Sequence, residues 1–89
     1  MKRIGLSKVG GAVSRFEPFK ASNLKGETVD GVYTVTSYYT PMLIFVGREW
    51  YANEDCINYS LTSKKHYHNA VQPNTKEVSG EYFMEKLNG

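Results

Sequence analysis

With 89 residues and a single cysteine, the chain has room for one domain and little core to spare for a deep enclosed pocket, which weighs against a conventional enzyme. The formal net charge of +2 is unevenly divided. Residues 1–31 carry six cations against three anions, and residues 32–89 carry five against six. That basic first third can approach phosphates, although a protein relying on charge alone usually carries more.

Cys56 has no partner for an intrachain disulfide, so the expected setting is a reducing compartment or stabilisation by self-association. The longest apolar run, residues 42–46, falls far short of the ~18 residues of a membrane span. Ser7, Lys8, Gly10 and Gly11 interrupt what would be the apolar part of a leader. A soluble cytoplasmic protein without a membrane partner is expected.

Residues 1–15 lack periodicity and contain three glycines, which predicts a flexible basic arm or a marginal strand at the start of a single domain spanning 1–89. Pro18 between Phe16 and Phe19 limits any strand there to an edge or a strand start. Lys25-Gly26-Glu27 and Asp30-Gly31 read as turns, the second as a tight hairpin. Residues 32–39 are rich in β-branched and aromatic types and predict a strand, with Tyr33, Val35, Ser37 and Tyr39 on one face. Thr40-Pro41 ends or bends it. Residues 42–46 form a strand covered on both sides, and Gly47-Arg48-Glu49 turns the chain into a third at residues 50–52.

Asn53-Glu54-Asp55 reads as a polar turn, and the alternation over 56–61 as a fourth strand. Thr62 or Ser63 then caps a short helix running to about Val71, which Pro73 ends. Residues 79–87 predict a last short helix, with Tyr82, Phe83 and Leu87 inward and a strand as the alternative. The fold class is α+β: a small antiparallel meander of three to four strands with one or two short helices.

Conventional catalytic sets are thin. Cys56, His66 and Asp55 are the only parts for a thiol nucleophile, and neighbouring acids raise a thiol pKa. His66 and His68 share a face only on a strand, not on the expected helix. His66 reads as a satisfied histidine at the edge of the sheet. No metal site, cofactor or enzymatic activity is expected.

The aromatic–basic combination is richer. Six of the seven tyrosines (Tyr33, Tyr38, Tyr39, Tyr51, Tyr59 and Tyr67) and Trp50 gather near Arg48, Lys64 and Lys65. Rings beside cations can stack the bases of single-stranded nucleic acid, serve as hot spots for a protein, or simply fill a small sheet short of aliphatic residues.

The run from Tyr33 to Met42 (Y-T-V-T-S-Y-Y-T-P-M), then Trp50 and Asn53, then Tyr59 to His66 (Y-S-L-T-S-K-K-H) resembles a pattern in small uncharacterised phage and integrative-element proteins. The pattern is Y-x-V-x-S-Y-x-T-P, W, and Y-S-x-T-x-x-[KR]-H. The resemblance spans under half the chain. It departs at Lys64, where a small polar residue is usual, and at Met42-Leu43, where isoleucine and alanine are.

What the resemblance implies is a mobile-element accessory protein that binds and inhibits a bacterial defence nuclease complex, in the manner of an anti-CRISPR protein, by direct contact. No residue role transfers with it. The residues available for partner contact are Arg48, Tyr51, Lys64, Lys65 and His68, with the basic arm. The alternative is a nucleic-acid-binding module using aromatic and basic residues on the sheet. A homodimer could form by pairing through an open edge at residues 32–39.

Overall fold

The computed structural model describes residues 2–89. Seven strands form one mixed sheet in sequence order. They are β1 (Lys2–Arg3), β2 (Phe19–Ala21), β3 (Leu24–Val29), β4 (Val32–Ser37), β5 (Thr40–Val46), β6 (Glu49–Asn53) and β7 (Lys76–Val78). Four helices accompany them: α1 (Val9–Ser14), α2 (Glu54–Ile57), α3 (Leu61–Ala70) and α4 (Gly80–Asn88), with a 3-10 turn at Leu6–Lys8. The class is α+β, and the sheet is larger than three to four strands. The expected meander is its centre: β2 to β6 are antiparallel neighbours, and a parallel strand is added at each end.

Topology dictates where the helices go. Four antiparallel pairings separate β2 from β6, so the two run the same way. The crossovers β1→β2 and β6→β7 therefore step in the same direction between parallel strands. A shared right-handed preference sends both to one face, and α1, α2 and α3 do pack there. Val9, Val13, Phe19, Leu24, Val35, Leu43, Ala52, Tyr67 and Ala70 make the main core. Among the described residues, only α4 covers the opposite face, where Phe83 is buried against Ile44 and Tyr51 with Val32, Val46, Val78 and Leu87 around it. That second cluster ends at β4. The opposite face of β1, β2 and β3 carries Arg3, Lys20, Lys25, Glu27 and Val29 and has no helix over it.

Several expectations are corrected here. The arm expected at 1–15 is instead, over its described residues 2–15, part of the fold: Lys2–Arg3 form β1, and Val9, Ala12 and Val13 are buried in α1. Gly10, read as a breaker, permits a close approach: a side chain there would press on the Asn69 carbonyl of α3 at 3.0 Å. Lys25-Gly26-Glu27 lies inside β3. Gly26 faces Phe19 across the β2–β3 ladder, and the Phe19 ring lies over it.

Thr40-Pro41 begins β5 rather than ending β4. Met42 is the extra residue of a β-bulge, since Val35 pairs with Leu43 and Thr36 with Pro41, and a bulge is where a strand tolerates proline. Residues 56–61 are not a strand. The Asn53 side chain accepts from the Asp55 and Cys56 N–H groups at 3.1 and 3.3 Å and starts α2 as a cap, overriding the alternation. Ser60, not Thr62 or Ser63, caps α3, its hydroxyl accepting from the Ser63 N–H at 3.1 Å. The supposed open edge at residues 32–39 does not exist, because β4 is paired on both sides.

The final helix forms as expected, with Ser79 as its cap. Phe83 faces inward and Leu87 packs at the edge of the second cluster, while Tyr82 remains exposed.

Candidate functional site

The five expected contact residues lie on separate surfaces. Arg48 is exposed at the tip of the β5–β6 hairpin, with positive φ of 64°. Lys64, Lys65 and His68 project from the solvent side of α3, whose other side sends Ser63, His66, Tyr67 and Ala70 inward at helical spacing. Tyr51 is the correction: it is 6% exposed, on the opposite face of the sheet. Its hydroxyl donates to Glu49 at 2.8 Å, and the Lys76 and Lys86 ammonium groups lie 5.9 and 5.6 Å from its ring centre. It packs α4 and is not free to meet a partner.

The two histidines separate as the helical spacing requires. His66 is 2% exposed, with Nδ1 2.7 Å from the Ser37 hydroxyl. Burial pushes its pKa below the ordinary histidine value. A hydrogen bond to the Ser22 backbone opposes that shift, and the Lys65 charge adds to it. With the ring donating to Ser22, Nδ1 accepts from Ser37. A hydroxyl beside an imidazole is the pairing that activates nucleophiles, but Ser37 is 1% exposed and the Tyr38 ring sits 5.6 Å from the imidazole. The pair ties β4 to α3. Cys56 is also buried, and burial raises its thiol pKa, so it is a packed thiol rather than a reactive one.

A broad concavity lies where α4 stops. It is an open groove of about 830 Å³ over the uncovered half of the sheet. Thr34 and Thr36 line it from β4, Leu87 and Asn88 from the end of α4, and Tyr38 and Tyr39 from the β4–β5 turn. Its charge follows the register. Arg3 pairs with Lys20, Lys20 with Lys25, and Lys25 with Thr36. Three cations therefore stand in one row across three adjacent strands, spaced by about 4.8 Å. Glu27 holds Lys25 at 3.1 Å, and Asp30 lies farther along, at the β3–β4 turn. The cationic end of the groove is thus the end nearest Tyr38 and Tyr39.

A second cleft of about 640 Å³ opens past the same two tyrosines. The β4–β5 turn forms one side, and the α2–α3 connection, with Tyr59 and Ser60, forms the other. Sequence reasoning placed Tyr38 and Tyr39 in a strand and Tyr59 in another, so it missed this juxtaposition of turns. It also missed the cation row, because Arg3, Lys20 and Lys25 meet only through the β1–β2–β3 register. The uneven charge of the first third was the one visible sign.

Among the described residues, no helix is long and apolar enough to cross a membrane. No family model matches this chain, and no curated protein or solved structure matches it.

Proposed function

We propose that this domain binds single-stranded nucleic acid in the groove over β1–β4, as an accessory protein of the phage or mobile-element kind that its sequence pattern resembles. The observation that carries the reading is the registered row Arg3–Lys20–Lys25. Like charges directly opposite one another destabilise a sheet. Lys25 has Glu27 beside it, but the opposed Arg3 and Lys20 are explained by a ligand that neutralises them, and a phosphate backbone does so. A shallow sheet with tyrosines at its rim suits exposed bases better than a duplex, whose bases are already stacked on one another. Binding by the groove involves no turnover; the phosphates position the strand and the rings hold it.

The test is fluorescence anisotropy of a labelled oligothymidylate across a salt series. Affinity is expected to fall steeply with salt and to weaken in Arg3→Gln and Lys20→Gln variants. Absence of binding at low salt, or binding indifferent to salt, would overturn the reading. If oligonucleotides fail to bind while nuclease-treated lysate yields a host nuclease complex on the tagged protein, inhibition by direct protein contact takes its place. The exposed face of α3 bearing Lys64, Lys65 and His68 would then be the surface to mutate.

A further inference from the structure

We infer that the cleft between the β4–β5 turn and the α2–α3 connection receives one unstacked nucleobase of a strand lying in the groove, an inference that rests on the reading just given. Continuity is the first argument. Tyr38 and Tyr39 line both the groove and the cleft, so a strand following the cations Arg3, Lys20 and Lys25 arrives at the two rings and then at the opening. Thr36, the β4 residue at the end of that row, precedes Tyr38 by two positions.

Exposure is the second. Tyr39 is 98% and Tyr59 83% exposed, one on each side of the cleft, and Leu61 beside it is 84% exposed. Large rings left in water next to a preformed opening bury no area in the free protein. They acquire packing only when something planar or apolar lies against them.

The third argument is the lining. Thr40, Ser60 and Thr62 contribute hydroxyls, and Asp55 contributes a carboxylate. One oxygen of that carboxylate, Oδ2, accepts from the Gly80 N–H at 3.2 Å. Hydroxyls both donate and accept, whereas a carboxylate accepts. The set matches the edge of a base, with its N–H donors and carbonyl acceptors. A phosphate is the poorer occupant, since Asp55 would repel it. Phosphates are thereby assigned to the row and a base to the cleft. The volume of about 640 Å³ falls within the range of small-ligand sites, about 300–1,000 Å³.

Two probes separate the two sites: a short oligothymidylate and an abasic deoxyribose-phosphate chain with the same number of phosphates. The phosphate row alone predicts that both bind with equal affinity and the same salt slope. With the base cleft, the abasic chain binds on the order of tenfold more weakly at unchanged slope. Tyr59→Ala should bring the two probes together while leaving the slope intact. Because Tyr59 is almost fully exposed, circular dichroism of that variant is expected to match the parent. Equal affinity of both probes for the parent protein would overturn the cleft and the stacking on the rim tyrosines, and leave only the phosphate row standing. A Tyr59→Ala variant that keeps the full preference for bases would overturn the cleft alone. Failure of both probes to bind would overturn the groove itself.

Discussion

Lys20→Gln separates a binding role from a structural one, because the two readings predict opposite changes in stability. Lys20 sits between Arg3 on β1 and Lys25 on β3 in directly opposed positions. Opposed like charges cost roughly 0.2–1 kcal/mol per pair in a sheet. The Lys25 contribution is reduced by Glu27 at 3.1 Å. Removing the Lys20 charge should therefore raise stability at low salt by up to about 1 kcal/mol. In a domain of this size that is a rise in Tm of up to about 5 °C. The gain should vanish near 1 M salt, where charges about 3 Å apart are already screened.

Binding should move the other way. A row of three phosphate contacts gives a slope of log affinity against log salt near −2, and two contacts give about −1.4. Parent affinity should fall about eighteenfold between about 50 and 200 mM salt, and variant affinity about sevenfold. Thermal melts and anisotropy titrations in the same buffers measure both. A variant that loses stability at low salt, or that binds with an unchanged slope, would refute the argument that the row is held against its own repulsion for the sake of a ligand.

Three further outcomes follow from the packing. Gly26→Ala should destabilise by about 1–3 kcal/mol in a urea titration, since the new methyl would meet the Phe19 ring and the Tyr33 hydroxyl, the latter at 2.6 Å. Phe83→Ala should lose about 3–5 kcal/mol and loosen α4, because Phe83 is fully buried at the centre of the cluster that packs that helix on the sheet; retention of the parent urea midpoint would contradict this. The lowered pKa of His66 means the folded protein binds fewer protons than the unfolded chain just below pH 6.5. Stability should be level above that pH and fall as the pH drops below it towards the lower folded value. Urea midpoints at about pH 7.5 and 5.5 should differ in the parent and converge in His66→Gln.

The parts of the fold readable in the sequence are those where local signals agree with tertiary context. Asp30-Gly31 turns the β3–β4 hairpin with both residues at positive φ, as the dipeptide suggests. Residues 42–46 are a strand covered on both faces, with Met42, Leu43 and Ile44 buried and Phe45 and Val46 partly so, and Ser79 and the inward Phe83 fix α4. What escaped notice is set by long-range pairing. β1 has two residues and β7 three, too short to show a period, and each exists only because a crossover returns it beside a neighbour. The glycines at 10 and 26 look like breaks because their purpose is a neighbour's bulk. The candidate site suffers most. Its cations are separated by 17 and 5 positions and become a row only in register, whereas Lys64-Lys65-His66, contiguous and conspicuous, divides between solvent and core.

The β4–β5 turn completes the case for a ligand at this end of the molecule. Among the described residues there are three other two-residue hairpin turns: Asp30-Gly31 and Gly47-Arg48 each place glycine beside a second residue at positive φ, and Ser22-Asn23 places asparagine at φ 55°. The fourth is Tyr38-Tyr39, with Tyr38 at φ 57° and neither glycine nor asparagine in the turn. A residue with a Cβ costs roughly 1–2 kcal/mol in the left-handed region, and asparagine tolerates it better than tyrosine does. The Tyr38 N–H donates to the Asn23 carbonyl at 2.7 Å, so the strained conformation is held from the neighbouring turn. Tyr38 recovers part of the cost by covering His66, while Tyr39, 98% exposed, contributes nothing to the core. Tyr39→Asn should therefore leave the urea midpoint unchanged within about 0.5 kcal/mol, as for a surface site. It should weaken an oligothymidylate on the order of tenfold, as expected for one lost stacking platform, and spare the abasic chain. If the midpoint falls instead and both probes weaken together, the ring is a structural part of the hairpin, and the path from the cation row to the cleft loses its middle step.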